Sequence, residues 1–221
     1  MSRVLRVEPG QRFELSDNHS VYLAEVSEAA RDWVRFRVLE ELEAVEPPLQ
    51  LTVYASLIKF DRFELLVEKA TELGVAALMP VRAERSESGL LEAASKRVER
   101  WRRIARESSQ QSRRARVPEI GAPTRLADVL DQPPGLRFYL EEEPGAQLLV
   151  SLLPPPPTRR RGDLAALALG PEGGWTAAER QGLRAAGWTP AALGPLILRA
   201  ETAAMAGMVI LMQAWWEFAS G

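Results

Sequence analysis

Two glycine-proline loops carry the strongest chemical signal in this 221-residue chain. The first is Leu169-Gly170-Pro171-Glu172-Gly173-Gly174-Trp175, set between a continuous apolar run and a helical segment. Glycines around a proline turn the backbone sharply and leave no Cβ between it and a ligand. The second is Leu193-Gly194-Pro195-Leu196-Ile197-Leu198-Arg199-Ala200-Glu201-Thr202-Ala203. Here Ile197 and Leu198 can line an apolar slot, while Arg199 and Glu201 arrive at a helix start. Glu201 suits the positive end of the helix dipole, and Thr202 can help to cap it. Either loop alone also reads as a tight strand-helix turn; two in succession read as paired walls of one pocket. Neither is a phosphate loop, since no Gly-Lys-Ser/Thr follows, and neither is the Gly-x-Gly-x-x-Gly dinucleotide fingerprint.

What is missing narrows the chemistry. The chain has no cysteine and one histidine. That excludes a disulfide framework, a thiolate zinc site, a thiol nucleophile and any multi-histidine metal site. His19 lies in Asp17-Asn18-His19-Ser20, which reads as a turn. Catalysis must rest on Arg, Glu, Asp, Ser/Thr, Gln or backbone groups, with an organic cofactor as the alternative source of reactivity.

Periodicity predicts the strands and helices that hold the two loops. A hydrophobic fraction of 46% and a charged fraction of 26% are those of a folded soluble protein rather than a disordered one. Residues 12–15, 21–26 and 33–39 alternate or are rich in β-branched and aromatic residues, so they predict short strands of a small barrel or half-barrel. Pro47-Pro48 ends that pattern, which places a domain boundary between residues 47 and 48. Strands follow at 51–57, 75–81, 117–120, 136–140, 164–169 and 191–193. Helices are expected after Asp61, with Glu64 at the capping-box position, over 95–114, from Thr176-Ala-Ala-Glu179 to Gly187, and over 201–218. Alternation of this kind predicts an α/β domain with a mainly parallel sheet. Pro154 to Pro157 with Arg159-Arg160-Arg161 reads as a solvated loop.

Charge is unevenly distributed. The net charge is −2, yet residues 96–116 hold nine Lys/Arg against Glu99 and Glu107, a local +7. On the helix expected there, Arg100, Arg103 and Arg106 lie off the apolar stripe of Val98, Trp101, Ile104, Ala105 and Ser108. A concentrated basic face in an otherwise acidic chain points to a polyanion. Met1-Ser2-Arg3 leads into alternating residues with no apolar signal core. The run from Ala203 to Phe218 is short for a membrane span and broken by Gln213. It reads as a buried helix of a cytoplasmic protein that meets no membrane.

Taken with their spacing, these stretches resemble one family. Gly170-Pro171-Glu172-Gly173-Gly174, then Leu193-Gly194 and Ile197-Leu198-Arg199-Ala200-Glu201-Thr202-Ala203, are similar to the signature of bacterial 16S rRNA (uracil-1498-N3)-methyltransferases of the SPOUT superfamily. Supporting stretches match in order across nearly the whole chain: Lys59-Phe60-Asp61-Arg62, Lys69 to Val75, Arg85-Ser86, and Arg97 to Ile120 with Trp101, Gln111 and Arg114. The resemblance implies a PUA-like β-barrel over residues 1–47 and a SPOUT domain over 48–221 with a deep trefoil knot at its C-terminal end. It further implies a homodimer, joined in part by the last helix with Trp215-Trp216, that acts on 16S rRNA within an assembled small ribosomal subunit. S-adenosylmethionine, with no metal, would be held by Leu140, Glu141, Leu169 to Gly174, Leu193, Gly194, Ile197, Leu198, Arg199, Thr202 and Ala203.

The reaction itself sets requirements. Uridine N3 bears a proton between two carbonyls, so methylation needs a path for that proton and a cation near O2 or O4. Arg199 suits the second task and Glu201 the first, or else Glu201 orients Arg199. The resemblance implies RNA contacts from Arg3, Arg6, Lys59, Arg62, Arg85, Arg103, Gln111, Arg113 and Arg114, with Gln111 and Arg114 approaching a partner subunit's site. The sequence departs from the family pattern at several places. Phe60 and Arg113 stand where glycines are usual, Leu196 where a basic residue is usual, and roughly twenty further residues usually precede the segment Arg3 to Val7. Two other readings fit the same residues: a SPOUT methyltransferase for another RNA nucleotide, or a non-catalytic RNA-binding protein of this fold.

Overall fold

The computed structural model describes residues 7–131 and 134–219. Two compact units divide the chain: residues up to Glu46 together with Arg113–Val117, and Pro47–Ser112 with Pro118 onward. In the first unit β1 (Arg12–Ser16), β2 (Val21–Ala29) and β3 (Val34–Leu42) form an antiparallel sheet in the order β1-β2-β3. The β1–β2 turn is an Asx turn, in which Asp17 Oδ1 accepts from the backbone N–H groups of His19 and Ser20 at 2.9 and 2.8 Å. Those two donors hold the Asp17 carboxyl below its ordinary range, and His19 is exposed beside it.

The segment Arg113–Val117 belongs to this unit for visible reasons. Ser16 donates through its hydroxyl to the Ala115 carbonyl, Val117 N–H donates to Asn18 Oδ1 at 2.7 Å, and Arg116 pairs with Glu46 at 2.7 Å. The contiguous division at 47/48 therefore omits one return crossing. Helical periodicity runs on through residue 114 and cannot reveal where the chain leaves.

The second unit is an α/β fold. Its elements in chain order are β4 (Leu49–Ser56), α1 (Phe60–Glu72), β5 (Ala77–Arg82), α2 (Leu90–Ser95), α3 (Val98–Gln111), β6 (Glu119–Ile120), β7 (Thr124–Arg125), β8 (Leu136–Leu140), β9 (Gln147–Leu148), α4 (Leu149–Leu152), β10 (Asp163–Leu169), α5 (Ala177–Ala185), β11 (Thr189–Ala192) and α6 (Ala200–Ala219). The sheet order is β6-β5-β4-β10-β8-β11-β9, with β7 also on β5, and every pairing is parallel. β10 lies in the middle, and Ala165 to Leu169 are all buried, which explains a run without polar alternation: both faces of a central parallel strand are covered. On one face α1 packs on α3 and α6. The opposite face carries a core of Tyr54, Tyr139, Trp175, Leu183 and Trp188.

Several local expectations are corrected. Helix α1 starts at Phe60, with Lys59 in the N-cap position and no side-chain cap, rather than being capped by Asp61. Phe60 packs on Trp101 and under the Arg97 guanidinium, and Glu64 is drawn to Arg97 and Arg100 instead of turning back to the helix start. The helix expected over 95–114 is α3 alone, ending before Arg113, which takes φ +55°. The strand expected over 117–120 is two residues long, because Val117 is committed to the first unit. The capping box of Thr176 and Glu179 is complete, with both reciprocal bonds made. Arg159 is not solvated. Its guanidinium lies 5.3 Å from the Trp215 ring centroid and donates to the carbonyls of Pro154 and Ala214 at the end of α6. Trp215 itself is a core residue, fully buried and donating to Asp163 Oδ2 at 3.0 Å. Among the described residues no helix is long and apolar enough to cross a membrane.

Candidate active site

The parallel strands β8, β10 and β11 are neighbours, and their carboxyl ends open on one cleft of about 410 Å³. That is where ligands of α/β sheets bind, and the volume is in the range of small-molecule sites. Its walls come from the segments that follow these strands: residues 140–142, 169–175 and 193–200. The three segments are far apart in sequence and meet only because β10 separates β8 from β4 and β11 lies on the far side of β8.

Of the residues expected to hold a cofactor, Leu140, Glu141, Leu169, Gly170, Pro171, Glu172, Gly174, Leu193, Gly194, Ile197, Leu198, Arg199 and Ala203 line the cleft. Gly173 and Thr202 do not. The Gly173 carbonyl accepts from Arg85, and Thr202 is exposed on α6. The first loop is a rigid turn. Gly174 N–H donates to the Pro171 carbonyl at 2.8 Å and Gly174 takes φ +67°, a conformation open to glycine and costly for other residues. Gly170 lies so close to the Trp175 indole that a Cβ would sit 3.2 Å from it. Trp175 is buried, and its Nε1–H donates to the Leu140 carbonyl at 2.8 Å, tying the first loop to the end of β8.

The charged residues on the cleft are mostly neutralised. Glu141 is 7% exposed. Its carboxylate accepts from Arg180 at 2.7 Å and from the backbone N–H groups of Glu142 and Glu143 at 2.9 and 3.1 Å. Burial pushes the Glu141 carboxyl up, but the Arg180 bond and the backbone donors together outweigh it, and the net shift is downward. The same bond raises the Arg180 guanidinium. Arg62 pairs with Glu172 across the mouth. That leaves Arg199 and Glu142 as the charged lining residues with no ion-pair partner among the described residues.

Arg199 occupies an unusual position. Ala203 N–H donates to the Arg199 carbonyl at 2.8 Å, so Arg199 is the N-cap of α6. A cation at the positive end of a helix works against the dipole. The side chain is exposed at the cleft and makes no ion pair among the described residues, an arrangement that keeps a charge available for an anion. Two residues on, Glu201 is not among the residues that line the cleft; its Oε2 is buried without a hydrogen-bond partner among the described residues, so the oxygen keeps its capacity to accept a proton or a donor. Leu196 and Ile197 project from the same loop, 77% and 85% exposed.

Sequence reasoning missed Trp175, Arg180 and Glu142 as lining residues. Trp175 was adjacent to the motif and legible as part of it. Arg180, on α5, gave no local signal, since its partner Glu141 follows β8, 39 positions away.

The expected RNA contacts are scattered. Arg3 and Arg6 lie outside the described residues. Arg62 and Arg85 reach the first glycine loop. Lys59, Arg103 and Gln111 are exposed, as is Arg113 in the first unit. Burial pushes the half-buried Arg114 down to about 10. The arginine face of α3 is partly spent on ion pairs: Arg97 and Arg100 with Glu64, and Arg102 with Glu99. Arg103 and Arg106 remain exposed, without an ion-pair partner among the described residues.

A family model described as an RNA methyltransferase domain matches residues 45–212. The chain is 32% identical to ribosomal RNA small subunit methyltransferase E of Aquifex aeolicus, over 95% of this chain and 89% of that one. It is 34% identical to the protein of the same name from Mycobacterium bovis, over 97% of this chain and 83% of that one. Among solved structures, a ribosomal RNA small subunit methyltransferase E from Neisseria gonorrhoeae bound to S-adenosyl methionine superposes with a TM-score of 0.85 at 29% identity. That match covers 96% of this chain and 87% of the other.

Proposed function

Because the chain belongs to the RNA methyltransferase family that includes the small-subunit ribosomal RNA methyltransferases E, we propose that it moves a methyl group from S-adenosylmethionine to N3 of uridine 1498 in 16S rRNA. The chain is an S-adenosylmethionine-dependent ribosomal RNA methyltransferase. The observation that carries the choice of site is the cleft at the ends of β8, β10 and β11, with one uncommitted arginine at its edge.

The residues present fit the cofactor. Both glycine loops line the cleft, a Cβ at Gly174 or Gly194 would meet open space, and Ile197 and Leu198 offer an apolar wall. When bound, S-adenosylmethionine supplies an electrophilic methyl on a sulfonium. The side chains need only place the nucleophile and manage charge. Arg199 holds O2 or O4 of the uracil and stabilises negative charge as the N3 proton departs. Glu201 takes that proton or orients Arg199. Glu141 does not bind ligand through its carboxylate, which Arg180 and two backbone donors already fill; it fixes the shape of the wall. Lys59, Arg103, Gln111, Arg113 and Arg114 are the RNA contacts, with phosphates as the main target.

The first unit is the open part of a PUA-like barrel, the C-terminal loops are threaded as a trefoil knot, and two copies join through α6. Val209 at 40% exposure supports that use of the helix. The enzyme acts in the cytoplasm on the assembled small subunit. Calorimetry with S-adenosylmethionine tests the cofactor site; absence of binding excludes the enzyme in favour of an RNA-binding protein of this fold. Mass spectrometry of 16S rRNA from a strain lacking the gene tests the target. Loss of the 3-methyluridine is expected, and its persistence moves the activity to another nucleotide.

A further inference from the structure

Arg62 and Arg85 resemble RNA contacts in sequence, yet both side chains end on the first glycine loop. Arg62, in the first turn of α1, pairs with the Glu172 carboxylate and lines the cleft. Arg85, in the loop after β5, donates to the Gly173 carbonyl at 2.8 Å. The same stretch is held twice more from the β5 side. The Glu84 backbone N–H donates to Glu179 Oε1 at 2.7 Å, and the Thr176 hydroxyl donates to Glu84 Oε2 at 2.8 Å. These partners are about 90 to 110 positions away in sequence. They arrive through β4 and β5, which lie on the other side of β10 from the cleft-bearing β8 and β11. The approach is close: a Cβ on Gly173 would sit 3.3 Å from the Arg85 Cβ.

We propose that Arg62 and Arg85 are positioning residues for the cofactor, acting through Glu172 and Gly173 to hold the loop in its binding conformation, and are not contacts to RNA. The proposal rests on the reading of the cleft as the S-adenosylmethionine site. Its physical basis is preorganisation. A loop ordered before binding does not have to be ordered at the expense of affinity. The Arg62–Glu172 pair is partly exposed, with side-chain exposures of 32% and 48%, and such pairs add little to global stability. Removing the brace therefore shows in ligand binding rather than in melting.

The test titrates the full chain with S-adenosylmethionine in the absence of RNA, and separately measures binding of a 16S rRNA fragment by filter retention. Arg62→Ala and Arg85→Ala are each expected to weaken cofactor binding about three- to tenfold. KM for S-adenosylmethionine rises in step while kcat at saturation stays within about twofold of the parent, and RNA affinity is unchanged. Arg62→Glu loses cofactor affinity, and adding Glu172→Arg recovers it. The proposal is overturned if RNA affinity falls while cofactor affinity holds, if neither changes, or if the reversed pair fails to recover binding. If the parent chain itself binds no S-adenosylmethionine, the cofactor reading fails first and the proposal with it.

Discussion

The two loops that wall the cleft are built in opposite ways. The loop 170–175 is closed by its own turn bond, anchored by the buried Trp175 and held by Arg62 and Arg85. The loop 193–199 carries Leu196 and Ile197 in solvent, with Arg199 uncommitted and Gly194 at φ +147°. One wall is finished before any ligand arrives. The other presents apolar surface and a free charge that only a ligand can use. If the cleft grips a cofactor and then acts on a large RNA, as proposed above, it has reason to divide its labour this way: low-stability segments are where moving and binding elements are drawn from.

The largest effect that separates the two loops is expected from Trp175→Ala. It removes a fully buried indole and its bond to Leu140, so thermal or denaturant unfolding should show a loss of about 3–5 kcal/mol. A loss below about 1 kcal/mol would mean that the first loop is not anchored by this residue. Next is Arg199→Ala. Folding and cofactor affinity should stay near normal while kcat falls by about 10²-fold or more; equal losses of affinity and turnover would reduce Arg199 to a pocket-shaping residue.

Glu141→Gln is expected to cost about 1–3 kcal/mol at neutral pH by weakening the buried bond to Arg180. The pH dependence has a definite sign. Because the Glu141 carboxyl lies below its ordinary 4.5 in the folded chain, folding binds this proton less readily than the unfolded chain does. The pair's contribution is complete above that ordinary value and is lost as pH falls through the lower folded value. Urea titrations at neutral and acid pH should show the parent losing stability toward acid more steeply than Glu141→Gln. The smallest effect is expected from Ile197→Ala, within about 0.5 kcal/mol of the parent in unfolding, yet with weaker S-adenosylmethionine binding by calorimetry. A substantial loss of stability there would erase the contrast between the loops.

Much of this site was legible in the chain. Gly170, Gly174 and Gly194 marked places where backbone must turn or lie open, and Arg199 and Glu201 stood at a helix start with chemistry to offer. The buried run of β10 and the capping box of α5 were equally plain, because both depend on neighbours within a few residues. The first unit was only partly legible. Its strands alternate as expected, but the return of Arg113–Val117 depends on Ser16, Asn18 and Glu46, about 70 to 100 positions away. Arg113 illustrates a mixed case: it stands where the family pattern has glycine, and it adopts the left-handed φ that explains why glycine suits the position.

Residue types and spacing set the periodicities, the turns, the absence of thiol and multi-histidine chemistry, and the two glycine-proline loops that wall one cleft. Those are local properties of the chain. Tertiary structure alone decided which charges are free. Nine basic residues between 96 and 116 look like one electropositive face, but Glu64 pairs with Arg97 and Arg100, and Glu46 with Arg116, from outside that segment. Arg62 and Arg85 read as outward contacts and prove to be turned onto a loop. Electrostatic partnership depends on distance in space, and the parallel sheet brings together strand ends that the chain keeps far apart.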